Sequence, residues 1–297
     1  VEISEEYKII AELGTQRRRK FGKTHLIENK VTTEKAILKT INKKIVQEHI
    51  SQRLIEEAAF SFELEGLPKV LSLENTENEV LLVLQCKRGV TIDEYWKTIR
   101  RKKRLPFLVD FLSKLEVIFR QLEVENIVHC DIKPSNILIE EKSNDFDVHL
   151  IDFGLAVREN DAANRKLLFP LGYAAPELLL NHLDIIDART DICSLGILIW
   201  RLYAEKLPLV HPNPSIFTNL QLTHPLPEHS KISKSLFKIL QKMTVKHSFK
   251  LPPNKLKKED VKVYLEKAMQ ERYQSLELAI EDLKKVKPSY CQMISLR

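Results

Sequence analysis

Glycine is scarce in this chain. Only 7 of its 297 residues are glycine, about 2% against an average usage of roughly 7%. That excludes collagen-like and glycine-rich low-complexity classes. It also implies that each glycine kept sits where the backbone needs one. Cysteine is sparse too. Cys86, Cys130, Cys193 and Cys291 are widely spaced, with no C-x-x-C pair. This argues against a disulfide framework or a zinc site and suits free thiols in a reducing, cytoplasmic compartment, with delivery into a host cell left open. No apolar run is long enough to span a membrane. The opening Val-Glu-Ile-Ser-Glu-Glu is not a signal peptide, and without an initiator Met the chain reads as processed or cut from something longer. Neither sign of charge dominates. Lys and Arg number 47 against 41 Asp and Glu, leaving +6. That is compatible with phosphate ligands and too little for a dedicated nucleic-acid binder.

What is present is an ordinary globular composition, 43% apolar and 30% charged. The length allows one large domain or two lobes. The first part reads as strands. Residues 7–13, 35–41 and 80–84 are β-prone, the last a continuous apolar run suited to a buried strand. Between them, 45–64 reads as a helix. After residue 90 the character becomes helical. Leu108, Phe111, Leu112, Leu115, Ile118, Phe119 and Leu122 form one stripe at helical spacing. Residues 192–203 are apolar nearly all round, as in a helix buried within a domain. Residues 205–260 lack glycine and carry several prolines, so they read as irregular with short helices such as 233–243. Residues 261–286 read as helical again. The fold class is α+β, with a small strand-rich lobe at 1–86, a hinge near 85–90 and a larger helical lobe at 87–297.

The strongest chemical signal is His129-Cys-Asp131-Ile-Lys133-Pro-Ser-Asn136, followed sixteen residues later by Asp152-Phe-Gly154. This set suits phosphoryl transfer. One carboxylate accepts the proton of a hydroxyl nucleophile, a lysine holds the transferred phosphate, and an Asn and a second Asp hold Mg²⁺ on phosphate oxygens. On these residues the chain resembles the eukaryotic-type protein kinase superfamily over about residues 7–288, as one bilobal kinase domain. The Gly66-Leu-Pro68 and Glu271-Arg-Tyr-Gln-Ser275 segments lean toward the bacterial-type Ser/Thr kinases.

The resemblance implies residue roles. Asp131 is the catalytic base and Lys133 contacts the γ-phosphate. Asn136 and Asp152 ligate Mg²⁺, with Mn²⁺ as the alternative metal. Lys39, in Ala36-Ile-Leu-Lys39, holds the α- and β-phosphates of ATP. Its helix partner is Glu57, eighteen residues on, with Glu56 as the near alternative. Ala175-Pro-Glu177, the helix start Asp191-Ile-Cys-Ser-Leu-Gly196 and a late Arg272 that pairs with Glu177 complete the pattern. The nucleotide pocket is drawn from Leu13, Gly14, Phe21 and Gly22 in the phosphate loop. The hinge adds Leu84 as gatekeeper, Gln85 and Lys87, with Leu138 as the floor.

Departures from the family are concentrated. Anchored on Gly22, the earlier glycine positions of G-x-G-x-x-G-x-V fall on Arg17 and Arg19, and Thr24 replaces Val. Ile37 stands where V-A-I-K has Ala, and a larger side chain there crowds the adenine. Cys130 replaces the Arg of H-R-D, which in the family anchors an activation-loop phosphate. Residues 155–172 contain no Ser, Thr or Tyr. Together these imply a kinase that does not depend on activation-loop phosphorylation. Pro170 stands where Ser/Thr kinases usually carry Thr, but Lys133 is the Ser/Thr-type catalytic-loop residue. The expected activity is a protein kinase acting on a protein substrate, Ser/Thr rather than Tyr, with dual specificity left open. A pseudokinase binding module and a small-molecule phosphotransferase are the alternatives. The basic runs Arg17–Lys20 and Arg100–Arg104 suit solvated turns or the docking of an acidic or phosphorylated partner. They carry no interleaved aromatics for nucleic-acid stacking. Oligomeric state is left open.

Overall fold

In β5, Glu79–Gln85, every residue between the two ends is apolar, and the reason is its position. A computed structural model of the chain describes residues 3–14, 22–159 and 169–287. Phe21, the run Arg17–Lys20 and Cys291 lie outside the described residues. The chain divides into two units, Val1–Gly89 with His149–Gly154 and Val90–Val148 with Leu155–Arg297.

The first unit opens with a short helix, α1 (Ile3–Glu6), and carries β1 (Tyr7–Leu13), β2 (Lys23–Asn29), β3 (Lys35–Asn42), helix α2 (Glu48–Glu57), β4 (Val70–Asn75) and β5. The strands form one antiparallel sheet in the order β1-β2-β3-β5-β4. On one face Ile3, Ile27, Ala36, Leu38 and Val83 pack together. On the other, Ile41, Val80, Leu82 and Leu84 pack with Leu54 of α2. β5 therefore has both faces covered, which is why its apolar run does not alternate. Helix α2 is shorter than the 45–64 stretch read as helical. It stops at Glu57, and Phe60 and Phe62 are instead buried against Phe153, with ring centroids 6.2 and 4.8 Å away. Packing of these rings overrides the local helical pattern.

The second unit begins with β6 (Val90–Thr91) and α3 (Ile92–Thr98). A reciprocal capping box between Thr91 and Glu94 starts α3. Helix α4 (Arg104–Val124) follows, and all seven residues of the sequence stripe are its buried ones. Next come β7 (Ile127–Val128), β8 (Ile137–Glu141), β9 (Phe146–Leu150), which runs on into the first unit's segment, and β10 (Val157–Arg158). The rest is helical: α5 (Pro176–Leu179), α6 (Ala188–Ala204), α7 (Pro214–Thr223), α8 (Lys234–Met243), α9 (Lys258–Glu271) and α10 (Leu276–Lys284). Helix α6 is buried nearly throughout. At its Gly196 an added Cβ would meet Thr244 Cγ2 at 2.7 Å and Met243 Cβ at 2.9 Å, so α8 approaches as closely as it does only because that side chain is absent. Residues 261–286 are two helices rather than one stretch, separated at Arg272–Ser275. Ser275 caps the second of them through the Leu278 amide. The architecture is a small β-rich lobe and a larger α-helical lobe. Among the described residues no helix is long and apolar enough to cross a membrane.

Candidate active site

Strand β3 directs Ile37, Lys39 and Ile41 to the sheet face that carries α2. Lys39 Nζ donates to Glu57 Oε1 at 2.6 Å and to Asp152 Oδ1 at 2.7 Å. The lysine side chain is only 18% exposed and that of Glu57 5%. One ammonium between two carboxylates leaves an excess negative charge in a poorly solvated place. Burial pulls the Lys39 ammonium down, but Asp152 and Glu57 outweigh it and hold the group above the ordinary lysine range. Burial pushes the Glu57 carboxyl up, against the opposing pull of Lys39. Glu57 also accepts the backbone N–H of Phe153. Asp152 has φ +69°, a left-handed conformation for a side-chain-bearing residue, which costs of order 1–3 kcal/mol and persists only where neighbours hold it.

The strand register sets what else shares that face. Leu13 pairs with Thr24 and Thr24 with Lys39, which puts Leu13 on the lysine's side. The next row runs Ala11, Leu26, Ile37 and Leu84. Ile37 thus lies directly across from the expected gatekeeper Leu84. Gly14 has φ +95° and open space where a Cβ would stand. Gly22 has φ +136°, and a Cβ there would come 2.7 Å from the Thr40 carbonyl oxygen. Gln85 and Lys87 follow Leu84, Gln85 donating its N–H to the Lys69 carbonyl at 2.8 Å and Lys87 its ammonium to the Glu65 carbonyl.

In the second unit the turn between β7 and β8 gathers Asp131, Lys133 and Asn136. Lys133 Nζ donates to Asp131 Oδ2, and Asn136 Nδ2 donates to both Asp131 O and Oδ2 at 2.9 Å. Leu138, two residues on, is half-buried in β8. Cys130, just before the Asp, is buried with φ +62°. It is held there by Asp191 at the start of α6, whose carboxylate accepts the N–H of His129 at 2.7 Å and of Cys130 at 2.9 Å. Burial raises the Asp191 carboxyl to about 7, against those two bonds. In the sequence Asp191 stood out only as the start of a helix motif. Its hold on the loop has no local signal, because the bonded residues are more than sixty positions apart.

The segment after the loop is anchored by Glu177 of α5. Arg272 grips it with bonds of 2.6 and 3.1 Å, both side chains 0% exposed, and Thr190 Oγ1 adds a bond at 2.9 Å. Gly172, at φ +115°, donates its N–H to Gln221 Oε1 of α7 at 3.0 Å.

Two side chains, each within its own unit, carry hard oxygens of the kind a divalent cation takes. Both bonds of the Asn136 amide nitrogen go to Asp131, which fixes the amide, and its oxygen accepts a longer bond from Ser135 Oγ at 3.3 Å. The side chain of Asp152 is 30% exposed, with one of its oxygens on Lys39. A carboxylate and an amide oxygen are the ligands Mg²⁺ prefers when most of its shell comes from phosphates and water.

Comparison with known proteins agrees with this architecture. The probable serine/threonine-protein kinase pXi of Dictyostelium discoideum is 29% identical over 240 residues, covering 78% of this chain and 32% of the relative. Maternal embryonic leucine zipper kinase of Danio rerio is 28% identical, covering 71% of this chain and 31% of the relative. The carbon catabolite-derepressing protein kinase of Saccharomyces cerevisiae is 27% identical, covering 72% and 33%. The chain therefore spans about a third of the length of the curated relatives it matches. The protein kinase domain family matches residues 7–259, a span that holds both of the polar clusters described above. This chain belongs to the protein kinase domain family, whose members generally use a nucleoside triphosphate with a divalent metal.

Proposed function

We propose that this chain is a Ser/Thr protein kinase that moves the γ-phosphoryl group of ATP to a protein hydroxyl. The observation that carries the reading is the assembled Lys39–Glu57–Asp152 cluster, an ammonium held for phosphate oxygens by one buried carboxylate beside a second that can face a metal. Ser/Thr specificity is supported by Lys133 on the Asp131 loop and by the similarity to a probable serine/threonine-protein kinase of Dictyostelium discoideum.

In this reading Asp131 orients the substrate hydroxyl and takes its proton. The oxygen–phosphorus bond to the substrate forms as the bond to the β,γ-bridging oxygen breaks, and ADP leaves. Lys133 neutralises charge on the transferred group, and Lys39 holds the α- and β-phosphates. Asn136 and Asp152 would hold Mg²⁺, or Mn²⁺, which takes the same oxygen donors, and the bound metal would supply charge neutralisation on the phosphates. Leu13, Gly14, Phe21, Gly22, Leu84, Gln85, Lys87 and Leu138 would enclose the nucleotide. The lobes are drawn at 1–86 and 87–297, while the compact units divide at Gly89 and His149–Gly154 join the first. The widely spaced thiols suit a reducing cytoplasm. The exposed turn Arg101–Lys103 within the Arg100–Arg104 run supports docking of an acidic or phosphorylated partner.

The test is transfer from γ-labelled ATP to a Ser/Thr peptide array, together with thermal shift by Mg²⁺-ATP. Asp131→Asn should lower turnover at least about 100-fold and leave ATP affinity within about threefold, because the base does not bind nucleotide. Absence of both shift and turnover in the wild type would leave a binding module in place of an enzyme.

A further inference from the structure

We infer that Arg53 is a positioning residue that, together with Glu57, clamps the backbone of the Asp152-Phe153-Gly154 turn onto α2 and fixes where the following segment begins. The inference rests on the kinase reading for its consequence in catalysis, but its geometry stands apart from it.

Asp152 is in a left-handed conformation and needs neighbours to keep it there. Three ties do so. The Asp152 side chain is bonded to Lys39. The N–H of Phe153 donates to the Glu57 carboxylate. The carbonyl of Gly154 accepts from Arg53 Nη2 at 2.8 Å. Arg53 and Glu57 are four residues apart on α2, hence on one face a single turn apart. One helix face therefore reads an N–H and a C=O of consecutive residues. The Phe153 ring, set against Phe60 and Phe62, fixes the turn from its other side.

Gly154 is the point at which the chain leaves the first unit. The next eighteen residues, 155–172, have no hydroxyl to phosphorylate, and Cys130 occupies the place of an arginine that could receive a phosphate. Residues 155–172 therefore offer no hydroxyl through which a phosphate could fix them. Arg53 supplies a charge-assisted bond at Gly154, the residue just before them, instead.

The test compares Arg53→Met, which keeps the side-chain bulk without a donor, with Arg53→Lys, which keeps a donor. Hydrogen exchange of the nucleotide-free full chain is read first. Arg53→Met should speed exchange of amides in 152–156 about tenfold, while strands β3 and β5 keep their wild-type rates. Arg53→Lys should restore most of the protection. In steady state Arg53→Met should lower kcat about tenfold with the KM for ATP within about threefold, and should require more Mg²⁺ for half-maximal rate. Unchanged exchange at 152–156 in Arg53→Met would overturn the proposal. So would equal acceleration across the whole first unit in both variants, which would mark Arg53 as merely structural. An inactive wild type would sink the kinase reading alone, since the exchange comparison needs no turnover.

Discussion

At the scale of single residues the unusual position is Ile37. Its place in Ala36-Ile-Leu-Lys39 raises the question of crowding, and the register answers where the bulk goes. Ile37 lies across from Leu84 and two residues from Lys39, on the same sheet face. In the kinase reading, a branched side chain there narrows the space beside Leu84 on the sheet face where an adenine would lie. Ile37→Ala should therefore tighten ATP binding about three- to tenfold in isothermal titration, with kcat within about twofold, because the added room acts on binding alone. Weaker binding would show that Ile37 contacts the base favourably. For Lys39 the resemblance named Glu57 as partner, but nothing local placed Asp152 beside it. A lysine on a strand is ordinarily a solvated charge. Only the α2 face and the left-handed Asp152 convert it into a bridged ion cluster.

At the scale of elements, the break between α9 and α10 has the clearest cause. Residues 261–286 carry helical character throughout, yet the backbone leaves the helix at Arg272. The guanidinium is turned inward to Glu177, ninety-five positions earlier in the chain, with both side chains inaccessible to water. Removing one partner strands the other as a buried charge. Arg272→Met should lower unfolding free energy by about 3–5 kcal/mol in urea titration, and the double variant with Glu177→Met should recover part of that loss. A loss below about 1 kcal/mol would mean that the pair is far weaker than its burial implies. Element identity was otherwise well encoded. The α4 stripe needs only a 3.6-residue period and an apolar partner, and β5 needs only coverage on both faces. The end of α2 was not encoded, because Phe60 and Phe62 are as compatible with a helix as with an extended segment until Phe153 is there to receive them.

At the scale of the molecule, the two polar clusters lie in different units. Lys39, Glu57 and Asp152 belong to the first, and Asp131, Lys133 and Asn136 to the second. The second cluster is held by Asp191, the first by α2. Neither hold involves a phosphorylatable residue. Treatment with a broad phosphatase should therefore leave the kinase rate within about twofold of untreated protein, measured as initial velocity on one peptide substrate. A large loss of rate, or a phosphate mapped within 155–172, would contradict this.

What the sequence by itself determined was the inventory and its order: the polar motifs and their spacing, the apolar run of β5, the buried α6, the α4 stripe and the missing hydroxyls of 155–172. These depend on residue type and local period, which the chain carries wherever it goes. What only the tertiary structure decided was partnership. Lys39 meets a carboxylate 113 positions away, Asp191 pins a loop sixty-two positions before it, and Arg53 takes the carbonyl of Gly154 across 101 positions. Such pairings are set by where rigid elements bring distant backbone together. No local pattern carries that information, because a hydrogen bond is selective only within about 3 Å of its partner.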